Sequence, residues 1–292
     1  MGNIKKLLAA TDFSDDARQA ALRAAYLAAQ LGAQLELLHV MSGSSLSYIH
    51  ELFKLGSDAD TKLLDDARRM LCELADDVAE KTGFAAIPRV QAGHVTNEIL
   101  TAADQADMLI LGARGLNQMR DLFIGSTAER LLYKCKRPVL VSKRPPHGPY
   151  RRVIVPVDLS RHSAALLRMA AWIAPQADIM IVHAFDVPFE GKLWLAGVAE
   201  DEIQRYRAQA RLKAQDQIEM LMRGLGDTSL RLHQTVEHGD AARVILEQEE
   251  ESNPDLIVIG RHGQSIMGEL LLGSVARHVL SYSRCDVLVA NE

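Results

Sequence analysis

Lys6-Leu-Leu-Ala-Ala-Thr-Asp12-Phe-Ser14 returns 146 residues later as Arg152-Val-Ile-Val-Pro-Val-Asp158-Leu-Ser160. In both stretches an apolar run of strand length ends on an acid, a bulky apolar residue and a serine. A second pair, Asp107-Met-Leu-Ile-Leu-Gly112 and Asp255-Leu-Ile-Val-Ile-Gly260, is offset by 148 residues. A nearly constant offset means that the order and size of every intervening element repeat, which is duplication of a whole domain. The 292 residues suit two such units of roughly 145 residues each. Between them Lys143-Arg-Pro-Pro-His-Gly-Pro-Tyr150 carries three prolines and a glycine, which places the boundary there, with domains at 1–144 and 150–292.

Within each copy, short apolar runs alternate with longer segments of helical period, the pattern of a parallel sheet with helices on both faces. Five strands per copy are expected: near 4–10, 34–40, 86–91, 107–112 and 138–142, then near 151–157, 178–184, 230–237, 255–260 and 286–290. Ala17 to Leu31 is rich in Ala and Leu and stops at Gly32, so it reads as a helix closed by a left-handed residue. Thr61–Lys81 and Asp201–Arg223 read as long amphipathic outer helices. In sheets of this kind ligands bind beyond the carboxyl ends of the strands, where the strand order reverses. The residues just after the first and fourth strands therefore matter most.

After the fourth strand the first copy reads Gly112-Ala-Arg-Gly115, nine residues, then Gly125-Ser126-Thr127. The second reads Gly260-Arg-His-Gly263, nine residues, then Gly273-Ser274-Val275. Glycines let backbone N–H groups approach phosphate and ribose oxygens, and the helix opened by Gly-Ser offers free N–H groups and a dipole that favour an anion. Ser126, Thr127 and Ser274 add hydroxyls at that helix start, and Arg114 or His262 supplies positive charge nearby. The same glycines would also serve a tight turn that binds nothing; the full spacing, present twice, favours a ligand.

This spacing, with an acid after strand one, resembles the universal stress protein domain, and the resemblance runs over both halves, almost all of residues 3–291. It implies two tandem doubly wound α/β domains, each a five-stranded parallel sheet flanked by helices, of the adenine nucleotide alpha hydrolase-like kind with strand order 3-2-1-4-5. It also implies ATP as ligand, with Mg or Mn as an optional companion. Carried over by position, Asp12 and Asp158 resemble the acid near the adenine and the metal-phosphate group, and Val40 and Ala184 fall where backbone reads the adenine edge. Gly112, Gly115, Gly260 and Gly263 would lie along ribose and phosphates, and Gly125, Ser126, Thr127, Gly273, Ser274 and Val275 would close over the phosphate chain. Where several ATP-binding relatives carry Thr or Ser, this chain has Ala128 and Ala276, which implies one hydroxyl contact fewer per site.

Other readings are plainer. Asp12 and Asp158 also suit the stabilisation of a following helix, with Ser14 and Ser160 as N-caps. His39 and His183, at the end of strand two, read as packed histidines, since no partner of diagnosable spacing makes either a base. The Met220–Met222 neighbourhood reads as core or domain interface, and Glu247-Gln-Glu-Glu-Glu251 as a solvated helix face. No HExxH, CxxC or comparable run is present, so a dedicated zinc site is not legible, although dispersed ligands are free to meet in space.

Composition narrows the function. A net charge of -5 gives no broad basic field for a nucleic-acid backbone, and the apolar runs are far too short for a membrane span. Three scattered cysteines, Cys72, Cys135 and Cys285, and an N-terminus without the pattern of a secretory signal suit a reducing cytoplasm. The expectation is a cytoplasmic ATP-binding stress-response or signalling module with two nucleotide sites. Its rivals are a slow ATPase, for which no water-activating residue or arginine finger is evident, and a pseudo-dimeric interaction scaffold with little nucleotide dependence. In the scaffold reading the two domains pair within the chain through their last strands, and two chains can assemble further as a homodimer.

Overall fold

The structure is a computed structural model in which residues 4–42, 58–115, 124–187, 190–226, 230–263 and 272–290 are described. The chain divides into two compact units, Met1–Pro149 with Asp286–Asn291, and Tyr150–Cys285 with Glu292.

In the first unit, β1 (Lys6–Ala10), α1 (Asp15–Leu31), β2 (Gln34–Ser42), α2 (Asp58–Thr82), β3 (Ile87–Gly93), α3 (Val95–Ala103), β4 (Met108–Gly112), α4 (Ser126–Lys134) and β5 (Val139–Ser142) follow in turn. The strands lie in the order β3-β2-β1-β4-β5, all parallel, with Leu7 opposite Leu35 on one side and Met108 on the other. This is the expected 3-2-1-4-5 sheet. Leu7 to Ala10 are all buried, as a strand covered on both faces must be. Helix α1 begins where Ser14 accepts the Ala17 amide at 3.3 Å, a cap worth about 1 kcal/mol, and ends at Gly32 with φ 63°.

A further strand, β10 (Asp286–Ala290), groups with this unit and runs antiparallel to β5, Leu288 facing Leu140. Asp286 explains its attachment. Its Oδ2 accepts from Arg23 Nε at 3.1 Å, its Oδ1 accepts from the Lys143 amide at 2.8 Å, and Arg23 Nη1 donates to the Gly148 carbonyl at 2.7 Å. The Arg23 and Asp286 side chains are 7% and 1% exposed, so removing either would strand a buried charge at a cost of about 3–5 kcal/mol.

The second unit contains β6 (Arg152–Pro156), α5 (Ser163–Ile173), β7 (Asp178–Phe185), α6 (Glu190–Leu195), α7 (Glu200–Arg223), β8 (Arg231–His238), α8 (Ala241–Ser252), β9 (Leu256–Gly260) and α9 (Ser274–Tyr282). Strand β6 is parallel to β7 and β9, and β7 to β8. Each of the ten strands lies within two residues of its expected bounds.

Three local expectations are corrected. Ser160 is not an N-cap: α5 starts at Ser163 after His162, which makes no capping hydrogen bond, and Ser160 Oγ accepts the His162 amide in a turn. The cause lies in the next residues. Asp15 and Asp16 favour the N-terminal dipole of α1, whereas Arg161 and His162 at the matching places do not, and α5 starts two residues later, after a turn in which the Ser163 amide donates to the Ser160 carbonyl. Met220 is 60% exposed although Ile218 is fully buried, so the helix sends only part of that cluster inward. Glu249 is buried within its acidic run, because its Oε1 accepts the Arg284 and Cys285 amides at 2.7 and 2.8 Å.

Candidate functional site

Strand β1 has β2 on one side and β4 on the other, so chain connections leave it in opposite directions and a crevice opens at its carboxyl end. Thr11, Asp12 and Phe13 turn there. Phe13 has φ 67°, a left-handed conformation that costs a bulky residue on the order of 1–3 kcal/mol. Asp12 Oδ1 accepts the Ser14 amide at 3.1 Å, and His39 Nδ1 meets the Thr11 carbonyl at 2.8 Å with its ring 4.3 Å from that of Phe13. Because a carbonyl only accepts, Nδ1 of His39 carries the proton. The histidine therefore holds the turn, as its packed reading expected.

The loop after β4 is pinned to the start of α1. Asp16 Oδ2 accepts from both the amide and the Nε of Arg114, at 3.1 and 2.9 Å, and Ser14 Oγ donates to the Arg114 carbonyl at 3.3 Å. The hydrogen bond to Asp16 raises the Arg114 guanidinium further above its ordinary range, so its charge is permanent and already matched by a carboxylate. At the far end of the loop, the Gly125 amide donates to the Ala113 carbonyl at 2.8 Å and α4 begins. Ser126 and Thr127 are exposed on its first turn, while Ala128 is buried.

These segments enclose a cavity of about 380 Å³ lined by Asp12, Val40, Gly112, Arg114, Gly115, Gly125, Ser126 and Thr127, all eight first-copy residues singled out in the sequence. Its volume falls within the roughly 300–1,000 Å³ of small-molecule sites. Val95 and Ile99, one helical turn apart on α3, and Leu131 on α4 add an apolar wall. Their spacing was visible in the sequence, but an inward helix face has the same period, so nothing there marked a site.

The glycines have a structural reason as well. A Cβ on Gly112 would come 2.6 Å from the Asp16 backbone carbon, and one on Gly115 would come 2.5 Å from Asp12 Oδ2. Their absence of side chain lets the loop lie directly on the acid and on α1.

The second copy repeats this backbone. Leu159 has φ 61°, His183 Nδ1 meets the Val157 carbonyl at 2.8 Å, Asp158 Oδ1 accepts the Ser160 amide at 3.0 Å, and the Gly273 amide donates to the Arg261 carbonyl at 2.8 Å. Ala184 is the next-to-last residue of β7 as Val40 lies near the end of β2, and Gly260, Gly263, Ser274 and Val275 occupy the places of Gly112, Gly115, Ser126 and Thr127. The polar side chains differ. His162 and His262 stand where the first copy has Asp16 and Arg114, buried Arg261 replaces Ala113, and Ser163 Oγ donates to Asp158 Oδ1 at 3.2 Å. The glycines are also less crowded: a Cβ on Gly260 would meet its nearest atom at 3.4 Å, and one on Gly263 would sit 3.8 Å from Asp158 Oδ2.

A parallel doubly wound sheet with an acid after its first strand, and a glycine loop leading into a helix after its fourth, defines a class of α/β domain with a crevice at its switch point. Comparison with known proteins gives the family: the universal stress protein family model matches residues 3–143 and again 149–291, so the chain belongs to that family as a tandem, two-domain member. A universal stress protein of Mycolicibacterium smegmatis is 23% identical, over 97% of this chain and 96% of its own length. One from Synechocystis is 26% identical, over 98% and 99%. The crystal structure of a universal stress protein from Archaeoglobus fulgidus, 22% identical, superposes with a TM-score of 0.69 over 98% of both chains and shares the fold. Among the described residues no helix is long and apolar enough to cross a membrane.

Proposed function

We propose that the first copy binds an adenine nucleotide, ATP by the reading of its glycine motif, and that the protein works as a cytoplasmic stress-response or signalling module whose ligand biases its shape or partners. One observation carries this reading: the eight residues chosen from the sequence line a single cavity of about 380 Å³ at the switch point of the sheet. The apolar wall of Val95, Ile99 and Val40 suits a planar base, and the free amides at the start of α4 suit a phosphate chain. Asp12, at the mouth of β1, is the carboxylate able to hold Mg or Mn bound to those phosphates. A triphosphate brings that ion with it; the chain contributes the acid, the amides and the walls.

The second copy has the same backbone cradle with Asp158, Gly260, Gly263, Gly273 and Ser274, and histidines in place of the first copy's ion pair, so its affinity differs from that of the first. The test is to denature freshly purified protein, identify released nucleotide by mass spectrometry, and titrate the emptied protein with ATP and Mg. Bound or titratable adenine nucleotide is expected. Absence of both from folded protein would sink the proposal.

A further inference from the structure

Asp186, Glu190 and His238 meet in the second unit, although 48 residues separate the last two. Asp186 follows β7, Glu190 opens α6 and His238 ends β8, so the parallel pairing of β7 with β8 brings dispersed residues together. One ligand atom from each lies within 4.8 Å of the other two. His238 Nε2 is 2.9 Å from Glu190 Oε2 and 3.9 Å from Asp186 Oδ1. A tetrahedral zinc ion with bonds of roughly 2.0–2.2 Å needs ligand atoms about 3.3–3.6 Å apart, within the span these distances bracket.

The plain alternative is an ion-pair cluster that holds α6 to β8. One observation weighs against it. Glu190 Oε2 and His238 Nε2 are both buried and lie 2.9 Å apart without the alignment of a full hydrogen bond, so both point to a common place. Glu190 Oε1 accepts from Arg207 Nη2, which fixes the carboxylate and leaves Oε2 turned toward the histidine. Asp186 Oδ1 accepts the Val187 amide at 2.8 Å, and a carboxylate oxygen retains a lone pair beyond that bond.

We propose that Asp186, Glu190 and His238 bind one divalent transition-metal ion of the zinc type, with Arg207 positioning Glu190 as an outer partner. Three protein ligands leave a fourth position for water, facing a cavity of about 450 Å³ that Trp194, Glu200 and Ile203 also line. The site is peculiar to the second copy. Register matching puts Ser42 and Ala92 of the first copy where the second has Asp186 and His238. It is independent of the nucleotide reading, because none of its residues belongs to either glycine cradle.

The experiment uses the full chain, stripped with EDTA, desalted and free of nucleotide, titrated with zinc chloride and separately with magnesium and calcium chloride. Native mass spectrometry gives stoichiometry and calorimetry gives affinity. Wild-type protein is expected to take up one zinc equivalent that H238A and E190Q each weaken by more than about tenfold, with neither magnesium nor calcium substituting. Zinc should raise the melting temperature of wild type and not of H238A. Circular dichroism checks the fold, and if H238A misfolds, D186N and E190Q read the same contrast. Absence of stoichiometric zinc uptake by wild type, or uptake unchanged in folded E190Q and D186N, would overturn the proposal.

Discussion

The two cradles of this chain share a backbone and differ in what is packed around it. In the first, Asp16 binds the amide and guanidinium of Arg114, and the glycine loop lies so close to α1 and Asp12 that Gly112 has no room for a Cβ and one on Gly115 would displace the Asp12 carboxylate. In the second, His162 and His262 replace that pair, α5 starts later, and a Cβ on Gly260 or Gly263 would meet its nearest atom only at 3.4 or 3.8 Å. The difference separates two reasons for a conserved-looking motif inside one molecule. Gly112 is required by the packing of its loop on α1, whereas Gly260 and Gly263 could each hold a Cβ at ordinary contact distance.

That contrast breaks most visibly under substitution. Gly112→Ala drives a methyl group into the α1 backbone and is expected to cost about 3 kcal/mol, against less than about 1 kcal/mol for Gly260→Ala, by urea denaturation of the full chain. Equal losses would mean that the crowding is not what distinguishes the copies. The next largest effect concerns the acid at α1. Asp16→Ala removes two hydrogen bonds and a favourable charge at the helix N-terminus, and is expected to lower stability by about 1–2 kcal/mol. Arg114→Ala should cost less than Asp16→Ala, because the loop amide keeps its bond to the carboxylate. The smallest change tests the later start of α5. Arg161→Asp with His162→Asp restores the acids found at Asp15 and Asp16, and is expected to raise stability by about 0.5–1 kcal/mol and to add helical signal in circular dichroism.

Much of this was legible in the sequence for a definite reason. The offset between Asp12 and Asp158 exposed the duplication, and Gly-x-x-Gly followed by Gly-Ser named residues that chain topology then had to bring together. Side-chain partnerships were not legible. Nothing local says that Asp16 would hold Arg114, 98 residues away, or that Asp286 would take Arg23 across 263 residues. The later start of α5 follows from Arg161 and His162, whereas Ser160 alone has the look of a cap. The Asp186, Glu190 and His238 cluster escaped because its ligands come from three elements and form no contiguous motif.

The most direct test of the nucleotide reading is calorimetric titration of nucleotide-free full-length protein with ATP and Mg, run beside Gly125→Trp and Gly273→Trp. The cavity behind Gly125 predicts that wild type takes up ATP and that Gly125→Trp, with its fold intact, loses the first-copy equivalent while Gly273→Trp keeps it. Folded wild-type protein that takes up no nucleotide, or a folded Gly125→Trp variant that binds as wild type does, would contradict the account.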